Sequence, residues 1–205
     1  MYKLTVYDAV FTVLDIETTG LNTDVDEIIE IGAIKYQGNL EIDRFHSLIK
    51  PPQAFIPKHI SKITGITTAM IIDKPTIEEV LPAFLDFIKD TILVGHNINK
   101  DLAFLNRDTA KFLNKKIKNP FICTDRLARK IMPDVDSKSL VNLAKIFNIP
   151  VKKHHRAIYD TEVNLEIFKK MIEFLESYSV IKVLDIIKLS EGKKVNRKEK
   201  RRRYV

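Results

Sequence analysis

The stretch Phe11-Thr12-Val13-Leu14-Asp15-Ile16-Glu17-Thr18-Thr19-Gly20 constrains this chain more than any other. It reads as an apolar strand that carries two carboxylates and then breaks at a glycine. Side chains on a strand alternate between faces, so Asp15 and Glu17 share one face with Cα atoms roughly 6–7 Å apart. Val13, Leu14 and Ile16 mark a central strand, where an unpaired charge is costly. Two acids in that setting need cationic partners or a metal ion. On these ten residues alone, an ion pair with a nearby lysine competes evenly with a metal site.

The chain of 205 residues is long enough for one good-sized core, and one domain is the default. With 45% hydrophobic and 30% charged residues it is of globular composition. No apolar run approaches the ~20 residues of a membrane helix, and Asp8 interrupts any signal-peptide core. The single cysteine, Cys123, excludes an internal disulfide and a Cys-rich zinc site, so a cytoplasmic location is expected. The net charge of +7 is localised: eight of the 34 basic residues and one of the 27 acidic ones lie in Lys193–Arg203, leaving 26 of each elsewhere. The body is balanced, so binding a polyanion there requires local positive charge or metal.

After Gly20, Glu27 to Tyr36 is a β-branched strand, Gln37-Gly38-Asn39 a turn, and Leu40 to Ile49 a third strand, which makes an antiparallel meander. Ile56 to Ile66 reads as a short helix stopped by Gly65. Thr76 to Lys89 reads as a helix with a Thr76/Glu79 capping box. Thr91 to Val94 is a short buried strand ended by Gly95-His96-Asn97, and Asp101 opens a helical pattern. A fifth strand is expected at Phe121-Ile122-Cys123, with helices at Thr124–Ile131, Ser137–Phe147 and about Arg156–Tyr178. Val180 to Leu189 is apolar at near-helical spacing, and the sequence does not place it. Three antiparallel strands followed by strand–helix alternation is an α/β plan with a mixed sheet. The expected organisation is a body over 1–178, an apolar extension over 179–192 and a basic, disordered tail over 193–205.

Two further acids stand out. Asp101 sits at or near a helix N-terminus, where a capping role is the common alternative. Asp160 lies near the start of a long helix on the face of Val163 and Ile167, and an inward aspartate needs a partner. Just ahead of that helix lie His154 and His155. Histidine suits proton transfer at neutral pH, and spacing alone does not choose between the two.

Three segments then fall into order: Asp15-Ile16-Glu17-Thr18-Thr19-Gly20, Gly95-His96-Asn97-Ile98-Asn99-Lys100-Asp101 and His155-Arg156-Ala157-Ile158-Tyr159-Asp160. They resemble the three exonuclease motifs of the DEDDh family of 3′–5′ exonucleases, in particular the proofreading epsilon subunit and exonuclease domains of bacterial DNA polymerase III. The resemblance spans roughly Ala9 to Leu175. It implies a ribonuclease-H-like mixed five-stranded sheet flanked by helices. By motif position, Asp15, Glu17, Asp101 and Asp160 become the metal-binding carboxylates and His155, not His154, the general base. Lys100 departs from the pattern, which more often has an aromatic before the aspartate.

The chemistry fits independently. Phosphodiester cleavage needs an activated water and stabilised phosphoryl and leaving oxygens, and two divalent ions about 3.5–4 Å apart supply both. Hard cations such as Mg²⁺ or Mn²⁺ favour oxygen ligands. Thr18, Thr19 and Gly20 can present backbone N–H groups to a terminal nucleotide. Leu21 can wedge against its base or simply pack the loop. His96 and Asn97 can reach a phosphate or tie their loop together. The expected function is a metal-dependent 3′–5′ exonuclease releasing nucleoside 5′-monophosphates from a DNA 3′ end, single-stranded DNA foremost, in proofreading or repair, with a DNA polymerase subunit as partner and no membrane. An RNA-trimming enzyme shares the same catalytic set. A non-catalytic nucleic-acid-binding or polymerase-docking module is favoured only by a missing acid or base, and none is missing.

Overall fold

The computed structural model describes residues 4–151 and 155–195. Among these residues five strands form one sheet: β1 (Val10–Thr18), β2 (Ile28–Gln37), β3 (Leu40–Leu48), β4 (Ile92–Gly95) and β5 (Phe121–Cys123). Their order is β3-β2-β1-β4-β5, with β1, β2 and β3 antiparallel and β4 and β5 parallel to β1. This is the mixed, ribonuclease-H-like α/β sheet expected from the strand pattern. The β2–β3 turn is tight because Gly38 takes φ +57°, a conformation glycine adopts without steric cost.

Among the described residues eight helices cover the sheet: α1 (Lys58–Thr64), α2 (Thr68–Ile71), α3 (Ile77–Phe87), α4 (Asn99–Leu113), α5 (Thr124–Ile131), α6 (Leu140–Ile146), α7 (Ala157–Ser177) and α8 (Val183–Ser190). The Thr76 N–H donates to the Glu79 carboxylate at 2.7 Å, as the capping box requires. Strand alternation divides the core. Phe11, Val13, Ile34 and Tyr36 face a cluster with Phe168 and Met171 of α7, Leu127 of α5 and Leu143 of α6. Leu14, Ile31, Ala33 and Leu93 face α3 and α4, among them Phe84, Leu102 and Leu105. The Phe11 ring stacks on Tyr36 at 5.3 Å and meets the edge of Phe168 at 5.4 Å, which locks α7 to the centre of the sheet.

The stretch Val180 to Leu189, which the sequence leaves unplaced, leads into and supplies most of α8. Val180, Val183, Ile186, Ile187 and Leu189 are buried in the α7-side core, and a bridge joins Thr5 to Lys182. The periodicity therefore reflects cover for the core. The expected disorder of the basic tail falls largely on 196–205, outside the described residues, as does His154. Among the described residues no helix is long and apolar enough to cross a membrane.

Candidate active site

β1 outruns its parallel neighbour. The β1–β4 pairing covers only Phe11 to Val13, and β4 ends at Gly95. Beyond that point the Ile16 N–H donates to a carboxylate oxygen of Asp101 at 3.3 Å instead of to a strand. Asp101 is buried in the first turn of α4, whose N-cap position is Ile98. From that first turn its carboxylate reaches back to β1.

α7 brings the fourth acid. Asp15 is registered against Gly32 and Glu17 against Glu30 on β2, so all four positions lie on the face that α7 covers. A Cβ on Gly32 would sit 2.5 Å from the backbone of Ala157 and Ile158. Only glycine lets the first turn of α7 descend so close, and the Thr161 hydroxyl then donates to the Gly32 carbonyl at 3.1 Å. Asp160, in that first turn, is thereby set against the β1 acids. Just before the helix, His155 takes φ +58°, and its N–H donates to the Asp160 carboxylate at 3.0 Å. Donor atoms of Glu17, His155 and Asp160 all lie within 4.8 Å of one another, a spacing that fits a metal ion.

The electrostatics carry the same message. Burial, followed by the charges of Asp101, Glu17 and Asp160, pushes the Asp15 carboxyl well above its ordinary range. Burial and the charge of Asp160 raise Glu17 to about 8, although Arg156 pulls it down. Burial raises Asp101 to about 7 against its backbone hydrogen bonds and the charge of Lys100. Four carboxylates from β1, α4 and α7 thus repel one another without enough positive charge nearby. Such a set of hard oxygen donors fits a divalent cation.

The stretch after β1 is held as a compact loop. The Thr19 N–H is used by the Glu27 carbonyl at 2.9 Å, and the Thr19 hydroxyl contacts the Asp26 carboxylate at 3.2 Å. The return of the chain into β2 thus engages the Thr19 N–H. The Thr18 hydroxyl donates to the Gly20 carbonyl, and Gly20 is pressed so close to Asp26 that a Cβ would meet its carboxylate at 2.4 Å. Leu21 is 85% exposed at the tip. Arg107 of α4 staples this loop, donating to the Thr23 carbonyl at 2.7 Å and to Glu27 at 3.0 Å. His96 lies 3.1 Å from the Thr124 hydroxyl through Nδ1, which ties its loop to α5, while Asn97 is exposed at φ +63°. A groove of about 1040 Å³ lies away from the acids, at the opposite end of the sheet between Ile92 and Pro120.

Residues 12–168 match the Exonuclease family. The chain belongs to that family. It is therefore an enzyme, a hydrolytic nuclease, as the motifs imply. It is 40% identical over 187 residues to DNA polymerase III subunit epsilon of Aquifex aeolicus (strain VF5), an alignment covering 91% of this chain and 92% of that one. It is 41% identical over 184 residues to the PolC-type DNA polymerase III of Thermotoga maritima, covering 90% of this chain but 13% of that polymerase. Its fold is similar to exonuclease X in complex with 5′ overhanging duplex DNA, with a TM-score of 0.71 at 25% identity over 88% of this chain and 99% of that one. It is similar in fold also to E. coli exonuclease I in complex with a dT13 oligonucleotide, with a TM-score of 0.72 at 17% identity over 82% and 42% of the two chains.

Glu30, Arg107 and Arg156 escaped the sequence reading of this exonuclease. Glu30 carried a signal: an acid inside the apolar run Ile28–Tyr36 of a central strand requires a partner. Arg107 carried none, because its partners lie some 80 residues away in a loop.

Proposed function

We propose that this exonuclease removes nucleotides from the 3′ end of DNA, releasing nucleoside 5′-monophosphates, and serves proofreading or repair beside a DNA polymerase. The observation that carries this reading is the convergence of Asp15, Glu17, Asp101 and Asp160 with His155 at the end of β1. The epsilon-subunit relative, matched over nearly its whole length, supports the proofreading role. The PolC relatives, in which a matching segment is part of a polymerase, support a polymerase partner.

In this reading the four carboxylates hold two divalent ions, Mg²⁺ or Mn²⁺. When bound, such a pair supplies an acidified water and charge neutralisation at the phosphoryl and leaving oxygens. The chain's own residues do the rest. His155 accepts the proton of the attacking water at a ring nitrogen; the new bond forms at phosphorus as the bond to the 3′ oxygen breaks. His155 is exposed, so its ring stands where water and substrate reach it. Thr18, Gly20 and the exposed Leu21 meet the terminal nucleotide, Leu21 against its base and the glycine allowing close approach of the backbone. His96 and Asn97 complete the substrate contacts in this reading, with His96 held through the bond that ties the β4–α4 loop to α5. The protein is expected to act in the cytoplasm.

The test is degradation of 5′-labelled single-stranded DNA and RNA side by side, with and without Mn²⁺. The proposal expects stepwise shortening of the DNA from its 3′ end with the metal. Equal or faster loss of the RNA transfers the activity to RNA trimming, and loss of neither leaves a binding module.

A further inference from the structure

β2 carries an acid that the proposed chemistry does not use. Glu30 has no exposed surface, yet its carboxylate is held below the ordinary range: burial raises it, and hydrogen bonds from His46, Arg156 and Ala157 more than offset that. Its oxygen Oε1 lies 2.7 Å from His46 Nε2 and accepts from Arg156 Nη2 at 2.8 Å. Arg156 Nε lies 3.1 Å from both oxygens, and Oε2 accepts from the Ala157 N–H at 2.8 Å. A guanidinium fork and a helix-opening N–H thus converge on one carboxylate.

The two residues it grips are consecutive, and their place in the chain is the point. Arg156 directly follows His155, and Ala157 opens α7. Glu30 therefore anchors, by a side chain and by the backbone, the two residues that follow the left-handed bend at His155. Asp160 has a further anchor, because its helical turn is also held by the Thr161 hydroxyl on Gly32. Glu30 is poorly suited to be a fifth metal ligand, since both of its oxygens already accept from cations or N–H groups.

We infer that Glu30, acting through Arg156 and Ala157, is a positioning residue that fixes the His155 ring over the acid cluster. The inference rests on the exonuclease reading and on His155 as its base. Misplacement of a reacting group by about 1 Å costs on the order of 10²-fold in rate. Glu30→Gln should therefore lower kcat on a short single-stranded DNA roughly 10- to 100-fold while KM stays within about threefold. Mn²⁺ affinity, measured by calorimetry, should stay within about threefold of wild type, because the four acids keep their places. Arg156→Lys, which keeps the charge but loses the fork, should shift kcat in the same direction by less.

The deciding comparison is with His155→Ala, all assays being run well below each variant's thermal midpoint. If Glu30 acts through His155, then Glu30→Gln added to His155→Ala costs less than about threefold more. Losses that multiply, an unchanged kcat in both Glu30→Gln and Arg156→Lys, or a collapse of Mn²⁺ binding in both would overturn the positioning role while leaving the exonuclease reading intact. A wild-type protein without metal-dependent cleavage, or a His155→Ala variant at full rate, overturns that parent reading and the positioning role with it.

Discussion

Glu17 and Glu30 face each other across two adjacent strands, on the same side of one sheet, and their chemistry is opposite. Glu30 meets a guanidinium, an imidazole and a backbone N–H, and its carboxylate is stabilised in the charged form. Glu17 is pushed up to about 8 by burial and then by the charges of Asp160, Glu30 itself and Asp101, against a smaller pull from Arg156. Burial opposes ionisation at both positions, so it cannot explain the difference; the partners do. A fold that needs an acid at a strand–helix contact supplies the counter-charge within the chain, as at Glu30. Where the counter-charge within the chain falls short, as at Glu17, the deficit marks a place for a cation from outside.

The largest test of that contrast removes one acid from each side. Asp15→Ala or Asp160→Ala should bring cleavage to background, while the metal-free thermal midpoint holds or rises because repulsion is relieved. Glu30→Gln should instead lower stability by a few kcal/mol, since it leaves a largely buried Arg156 poorly paired. Denaturation curves that rank the three variants the other way would erase the distinction.

His155→Ala should slow the chemical step by roughly 10²–10⁴ with less effect on substrate binding, the usual worth of a positioned base. His154→Ala should do much less, and single-turnover rates that exchange the two results would move the base by one residue.

A smaller effect appears in the pH dependence of metal-free stability. Glu17 and Asp101 have folded values of about 8 and about 7, above their ordinary 4.5 and 3.8, so the folded state binds more protons than the unfolded one between those limits. Stability should therefore fall as pH rises from about 5 to 8. Glu30, shifted downward, acts in the opposite sense and only at lower pH. The metal-free protein should be most stable in mild acid, and saturating Mn²⁺ should flatten the alkaline decline. A midpoint that rises steadily from pH 5 to 8 without metal contradicts the raised values.

The smallest effect concerns the tail, which lies far along the chain from either acid. Truncation after Glu191 keeps α8 whole and should leave turnover on saturating short substrate unchanged. It should weaken binding to longer DNA and flatten the salt dependence of that binding, because the basic residues collect on phosphates and release counterions. An unchanged salt slope points to a protein partner for the tail.

The parts of this molecule that could be read from sequence are those set by local periodicity. Alternation placed Asp15 and Glu17 on one face, and the register confirms it. Phe121-Ile122-Cys123 was legible as a strand despite three residues, because helix signals bound it on the far side. The short α2 was not foreseen, since four residues carry no helical period. Asp101 was open to a capping role because spacing cannot show that β4 stops short and leaves the Ile16 N–H for it. The Glu30–Arg156 pair spans 126 positions, and no local pattern links its members. The same argument that singled out Asp160, an acid on an apolar face, applied equally to Glu30 but could not name its partner.

The most direct test of the central claim is calorimetric titration of Mn²⁺ into the metal-free protein at pH 7 in buffers of different ionisation enthalpy. A metal bound there would displace the protons that burial, joined at Glu17 by the charges of Asp160 and Glu30, holds on Glu17 and Asp101. Binding is expected with release of on the order of one proton at pH 7, fading towards pH 9, and should be lost in Asp15→Asn but not in Glu30→Gln. Absence of binding, or binding whose heat does not change with the buffer, would contradict it.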